Sequence, residues 1–149
     1  LGDVYNSQAF LCASSKDNEG EFIIDALSTD GGGIPRDFLL YSGGQLVEWG
    51  VWTVSDFVRK ASSIPAQMLG LTNKGHLSEG ADADITVFDP ATRKAFMTVV
   101  NGRINCMGGA LVGEKGSIIC TEQGKDAVKA AGLTPYIVDL EKSMLYAGR

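Results

Sequence analysis

The sequence contains a single histidine, His76, in 149 residues. A multi-histidine metal centre or a histidine relay therefore cannot be completed by these residues alone. Positive charge is also short. Lys+Arg total 13 against 18 for Asp+Glu, a net charge of -5 with an isoelectric point near 4.8. No basic stripe is available for a phosphate backbone, so no nucleic-acid partner is expected. No apolar run reaches the roughly 18 residues of a membrane span, so no membrane partner is expected either. The opening Leu1-Gly2-Asp3 has neither a basic n-region nor an apolar h-region, and no secretory signal is read there. Three cysteines, Cys12, Cys106 and Cys120, are an odd and widely spaced set. They form neither a disulfide framework nor a zinc ribbon. They read as small buried hydrophobes in a reducing, cytoplasmic setting.

Of what is present, 44% is hydrophobic and 21% charged, with mean hydropathy +0.04, a globular composition. There are 19 glycines, well above the average of about 7%, and their recurrence after residue 70 suggests many short turns. The first part, residues 1–70, offers Ala9 to Ala13 as a short buried strand, then a polar loop. Glu21 to Leu27 is a short apolar run stopped by Ser28-Thr29-Asp30-Gly31-Gly32-Gly33-Ile34-Pro35. A run so short with abrupt ends suits a parallel strand buried on both faces. Phe38 to Tyr41 reads as a helical turn or a loop. Thr53 or Ser55 can cap a helix through Ala61, on which Val54, Phe57, Val58 and Ala61 have amphipathic spacing. Pro65 opens a second short helix closed by Gly70.

The second part, residues 71–149, reads mostly as β. Ala83 to Asp89 is a strand ended by Pro90. Asn101-Gly102, between the apolar runs Phe96–Val100 and Arg103–Cys106, marks a type I′ hairpin. Ala110–Val112, Ser117–Cys120 and Tyr136–Leu140 are further short strands, and residues 122–131 a helix stopped by Gly132.

Few positions can carry chemistry. Asp30 stands where the apolar run meets three glycines, which would let a ligand approach the backbone. A carboxylate there can ligate a metal or move protons, or it can simply cap a turn. His76 lies between turn-like flanks without a cysteine or aspartate at ligand spacing and reads as a surface turn residue. Asp82-Ala83-Asp84 reads as a turn entering a strand rather than a cation loop. Gly108 to Lys115 imitates a phosphate loop, but Glu114 takes the lysine place and a strand follows.

The stretch Ser63-Ile64-Pro65-Ala66-Gln67-Met68-Leu69-Gly70-Leu71, then Lys74-Gly75-His76-Leu77, then Gly80-Ala81-Asp82-Ala83-Asp84-Ile85-Thr86-Val87-Phe88-Asp89, resembles the C-terminal part of amidohydrolase-superfamily enzymes over about residues 22–112. Ser28-Thr29-Asp30 followed by glycines looks most like the isoaspartyl dipeptidase and dihydroorotase-like members, with Ile34 in place of a serine of the dipeptidases. The resemblance implies an α/β fragment of a larger fold: residues 1–70 as the last β/α unit of a TIM-type (β/α)8 barrel, and 71–149 as a small β-sandwich domain with a helix near 122–131.

It further implies a metal-dependent hydrolase of C–N bonds in an amide, cyclic amide or dipeptide. Asp30 would be the metal ligand, the general base, or both. Gly31, Gly32 and Gly33 would shape the substrate loop, and Arg36 would meet a substrate carboxylate. The divalent metal, one or two zinc ions, would draw its remaining ligands from an upstream barrel segment or a partner chain. The chain alone is expected to be inactive, and the whole protein to act on a small molecule as a homo-oligomer. Leu1, not a methionine, and the lack of a complete element ahead of the apolar run suggest a missing upstream segment. The alternative is a non-catalytic interaction module or a degenerate, amidohydrolase-like component of a larger assembly.

Overall fold

A computed structural model describes residues 7–29, 38–113 and 117–146. The chain is mixed α/β and divides into two compact units, Leu1–Ile64 and Pro65–Arg149.

The first unit is helical. Helix α1 spans Ser7–Ser14 and α2 Phe38–Glu48. Helix α3, Val54–Val58, runs into a π-helical stretch, Arg59–Ser63. Thr53 starts α3 with a capping box: its hydroxyl oxygen accepts the Asp56 N–H at 3.1 Å, and the Asp56 carboxylate accepts the Thr53 N–H at 2.9 Å. The Thr53 hydroxyl and amide hold the Asp56 carboxyl below its ordinary range. The core is Ala13, Leu46, Trp52 and Phe57. Trp52 donates its indole N–H to the Ala13 carbonyl at 2.9 Å and meets Phe22 edge to face at 6.1 Å. The Phe57 ring lies so close over Gly43 that any β-carbon there would collide with it.

Several expectations are corrected here. Ala9 to Ala13 is part of helix α1, not a strand, and only Ala13 of that helix is buried. One apolar face suffices for a short helix against Trp52, whereas a buried strand needs a ladder on each side. Cys12 follows from the same change: it is exposed, while Cys106 and Cys120 are half-buried, so none is a fully buried hydrophobe. Residues 21–27 form no strand among the described residues. Phe22 makes one isolated antiparallel bridge to Lys16, and Ile23 is 54% exposed. Extended chain becomes a strand only when a neighbour completes its hydrogen bonds, and no described segment does so here. Finally, Phe38–Tyr41 opens a full helix of 11 residues. On α3, Phe57 is buried while Val54 and Val58 of the expected apolar stripe are exposed.

The second unit opens with α4, Ile64–Met68. Gly70, at φ +70, ends it with a Schellman motif: Gly70 donates to Gln67 and Leu71 to Ala66. Strands β1 (Ile85–Asp89), β2 (Lys94–Val100), β3 (Arg103–Met107) and β4 (Ala110–Leu111) form an antiparallel sheet in sequence order. Asn101 and Gly102 both have positive φ, 50 and 74, as a type I′ turn requires. Strands β5 (Ser117–Cys120) and β6 (Thr134–Ile137) pair in parallel. Their crossover carries a 3₁₀ turn, Glu122–Gly124, and α5, Lys125–Ala130, stopped at Gly132 as the sequence suggests. The expected strand at 136–140 ends at Ile137, and a 3₁₀ turn, Leu140–Lys142, follows.

The C-terminal segment then returns to the end of α4. Ser143, fully buried, donates its hydroxyl to the Met68 carbonyl, and Met144 donates its N–H to Gln67 at 3.0 Å.

Candidate functional site

The residues singled out for chemistry, Asp30, Gly31, Gly32, Gly33 and Arg36, lie outside the described residues. The chain leading to them is described as far as Thr29, and it is anchored by a residue that sequence reasoning passed over. Lys60, in the π-helical stretch, is 7% exposed. Its ammonium donates to the Ile24 carbonyl at 2.6 Å, with the Phe22 ring 5.3 Å and the Trp52 ring 5.9 Å away. Its own backbone carbonyl accepts the Leu27 N–H at 3.0 Å. One residue thus binds the segment ahead of Asp30 at two points. Lys16 also lies over the Phe22 ring, 4.4 Å from its centre.

A second polar cluster lies within the second unit. Lys74 forms ion pairs with Asp82, at 3.0 Å, and with Asp84, and stands 4.3 Å over the Tyr136 ring. Tyr136 donates its hydroxyl to Asp82 at 3.0 Å, and the Asn101 N–H donates to Asp84 at 2.7 Å. Burial alone would lower the Lys74 pKa, but the hydrogen bonds to Asp84 and Asp82 outweigh it and raise the value. The hydrogen bond from Lys74 lowers that of Asp82. Burial, and then donation to Asp82, raises that of Tyr136. The ammonium pairs with both carboxylates where a cation loop would hold its ion, so Asp82-Ala83-Asp84 is a lock on the entry to β1.

His76 is a turn residue, as expected: its Nε2 lies 3.0 Å from the Thr72 carbonyl and its Nδ1 accepts the Ser78 N–H at 3.4 Å. Both ring nitrogens are engaged locally. A cleft of about 610 Å³ opens beside the β2–β3 turn, lined in part by Asn101, Arg103, Asn105, Ser117 and Thr134. Its described lining can donate and accept hydrogen bonds, and among the described residues it includes no carboxylate, thiol or imidazole to move protons. Among the described residues, no three His, Cys, Asp or Glu side chains gather as a metal-binding group.

The profile of the amidohydrolase family matches residues 14–108. The chain belongs to the amidohydrolase family. This amidohydrolase chain is 53% identical over 45 residues to a dihydroorotase of Syntrophus aciditrophicus, covering 30% of this chain and 10% of that protein. It is 32% identical over 75 residues to one of the subunits of the formyltransferase/hydrolase complex Fhc of Methylorubrum extorquens, covering 50% of this chain and 13% of that protein. The crystal structure of the formyltransferase/hydrolase complex FhcABCD from Methylorubrum extorquens, in complex with methylofuran, contains a similarly folded chain. The TM-score is 0.54 at 22% identity, over 81% of this amidohydrolase chain and 28% of that one. The chain therefore spans about a tenth of the length of the curated relatives it matches.

The matched span contains the Lys60-anchored segment and, of the Lys74 cluster, Lys74, Asp82, Asp84 and Asn101, with Tyr136 beyond it. No helix among the described residues is long and apolar enough to cross a membrane.

Proposed function

We propose that this chain is the C-terminal part of a metal-dependent amidohydrolase that hydrolyses a C–N bond in an amide or cyclic amide, with Asp30 as its catalytic carboxylate. The observation that carries the reading is the family match across residues 14–108, which includes Asp30 and the anchored segment before it. In this reading residues 1–70 belong to the C-terminal end of a (β/α)8 barrel. Residues 71–149 are the accompanying β-sandwich-like domain.

Asp30 takes the proton of the attacking water and returns it to the leaving nitrogen. Gly31, Gly32 and Gly33 let substrate approach the backbone, and the Arg36 guanidinium grips a substrate carboxylate with two parallel hydrogen bonds. A divalent metal, zinc in this reading, supplies when bound a coordinated water of lowered pKa. Asp30 offers one ligand to it. Among the described residues no three His, Cys, Asp or Glu side chains gather as a metal-binding group, and in this reading an upstream segment or a partner chain supplies the remaining ligands.

Exposed apolar side chains support a covering neighbour in each unit, among them Leu11, Trp49 and Val54 in the first and Leu111, Val112 and Ile119 in the second. We place the whole protein in the cytoplasm as a homo-oligomer. The same exposure favours the second reading, a non-catalytic interaction module, and one experiment separates the two. The full-length protein bearing this sequence is assayed with dihydroorotate, hydantoin, an isoaspartyl dipeptide and an N-formyl amine, beside Asp30→Asn. Turnover of one substrate, reduced at least about 100-fold by the substitution, is expected. A variant as active as the parent, or a parent inactive on all four, would overturn the hydrolase reading in favour of the module.

A further inference from the structure

We infer that Lys60 is a positioning residue for Asp30, and that Pro65 enables it to be one. The inference rests on the hydrolase reading above. An α-helical carbonyl accepts the N–H four residues on, and a π-helical carbonyl the N–H five residues on. Ile64 donates its N–H to Arg59, five residues back, so it is spent. The next candidate for the Lys60 carbonyl is residue 65, which is proline and has no N–H. The Lys60 carbonyl is therefore left without a helical partner. A buried backbone carbonyl must find one, and it finds the Leu27 N–H at 3.0 Å.

The side chain of the same residue reaches the Ile24 carbonyl at 2.6 Å. Lys60 thus accepts from one end of a four-residue stretch and donates to the other. That stretch has no ladder among the described residues to hold it otherwise, and Asp30 lies three residues beyond Leu27 in sequence. Burying an ammonium is costly compared with an apolar side chain of similar size. What the ammonium adds is direction: itself held near the Phe22 and Trp52 rings, it fixes the Ile24 carbonyl at a set place. Lys60 touches no reacting atom in this account. It sets the course of the chain that delivers the carboxylate, and small displacements of a catalytic group are expensive in rate.

The test uses the full-length protein and the four substrates named above, with Lys60→Met, Lys60→Arg, Pro65→Ala and Asp30→Asn. Two quantities are read: deuterium exchange at the Leu27 amide, and kcat and KM per folded molecule. Lys60→Met is expected to speed Leu27 exchange at least about tenfold and lower kcat about 10- to 100-fold, with KM within about twofold. Lys60→Arg should restore most of the rate. Pro65→Ala returns an N–H that competes for the Lys60 carbonyl, so Leu27 exchange should rise and kcat fall without loss of the side chain. It decides the matter if Lys60→Met does not fold. Parental kcat in the folded variants, whatever their melting temperatures, overturns the positioning role while Asp30→Asn stays inactive. Parental activity in Asp30→Asn, or no turnover by the parent, overturns the hydrolase reading and this inference with it.

Discussion

At the scale of single residues, the second unit is pinned by Lys74. Its ammonium joins Asp82 and Asp84, whose carboxylates in turn hold the Tyr136 hydroxyl and the Asn101 amide. The hydrogen bond from Lys74 depresses the Asp82 pKa below 3.8. The stability it contributes is therefore present above about pH 4 and lost as pH falls through the depressed value. Lys74 and Tyr136 are raised, so their share is present below about pH 10 and lost as pH rises through their folded values. Lys74→Met should cost about 1–3 kcal/mol at pH 7, because it leaves two neighbouring, partly buried carboxylates without their counter-charge and each with one donor fewer. The gap from the parent should narrow as pH falls below 4 and Asp82 protonates. Urea unfolding of both proteins from pH 2 to 8 measures this, and parallel curves would show that the ion pairs do not govern the acid limb. Asp82 and Asp84 read from the sequence as turn residues, which they are. Their partner lies eight to ten residues back across a loop, and no spacing rule links positions that far apart in irregular chain.

At the scale of elements, short-range chemistry was legible and long-range pairing was not. Thr53, Gly70, Asn101-Gly102 and Gly132 act where their backbone chemistry places them. Their signals are local: a side-chain oxygen for an orphan N–H, or freedom to adopt positive φ. Ala9 to Ala13 and Glu21 to Leu27 mislead because five to seven apolar residues fit a strand or one helix face equally well. The choice falls to neighbours distant in sequence. The π-helical stretch shows no hydrophobic period, although Pro65 five residues after Lys60 is a signal that could have exposed the free carbonyl. Asp30 is legible only as a carboxylate before a glycine run, and its candidate role comes from family likeness. Gly70 provides the test at this scale. A β-carbon there would lie 2.5 Å from the Asp139 carbonyl oxygen in a φ +70 backbone. Gly70→Ala should therefore cost at least about 1–2 kcal/mol and release residues 139–144. Limited proteolysis should then cut that segment faster than in the parent, and equal cleavage rates would argue against the return contact.

At the scale of the molecule, two compact units carry apolar side chains far into solvent, with Leu77 80% and Leu111 82% exposed. Scattered apolar exposure is ordinary, but contiguous exposure asks for a partner. Expressed alone, these 149 residues should bind a hydrophobic dye and self-associate without a defined end point as concentration rises, whereas the full-length protein should leave the dye dark and keep one defined oligomeric size. Dye fluorescence and sedimentation of the two make the comparison, and a monomeric, dye-silent fragment would show that its surface needs no cover.

The return of Ser143 to Met68 spans 75 residues. On the ribosome, α4 is made long before the segment that seals its end, while the β2–β3 hairpin can close as soon as it emerges. The second unit therefore has a last step that must wait for distant sequence, and contacts of such separation are slow to form. Until then the Met68 carbonyl lacks its Ser143 donor, and the Gln67 carbonyl holds only the local Gly70 N–H, so a pause in translation after β6 would lengthen the life of an unsealed intermediate rather than of an unfolded one.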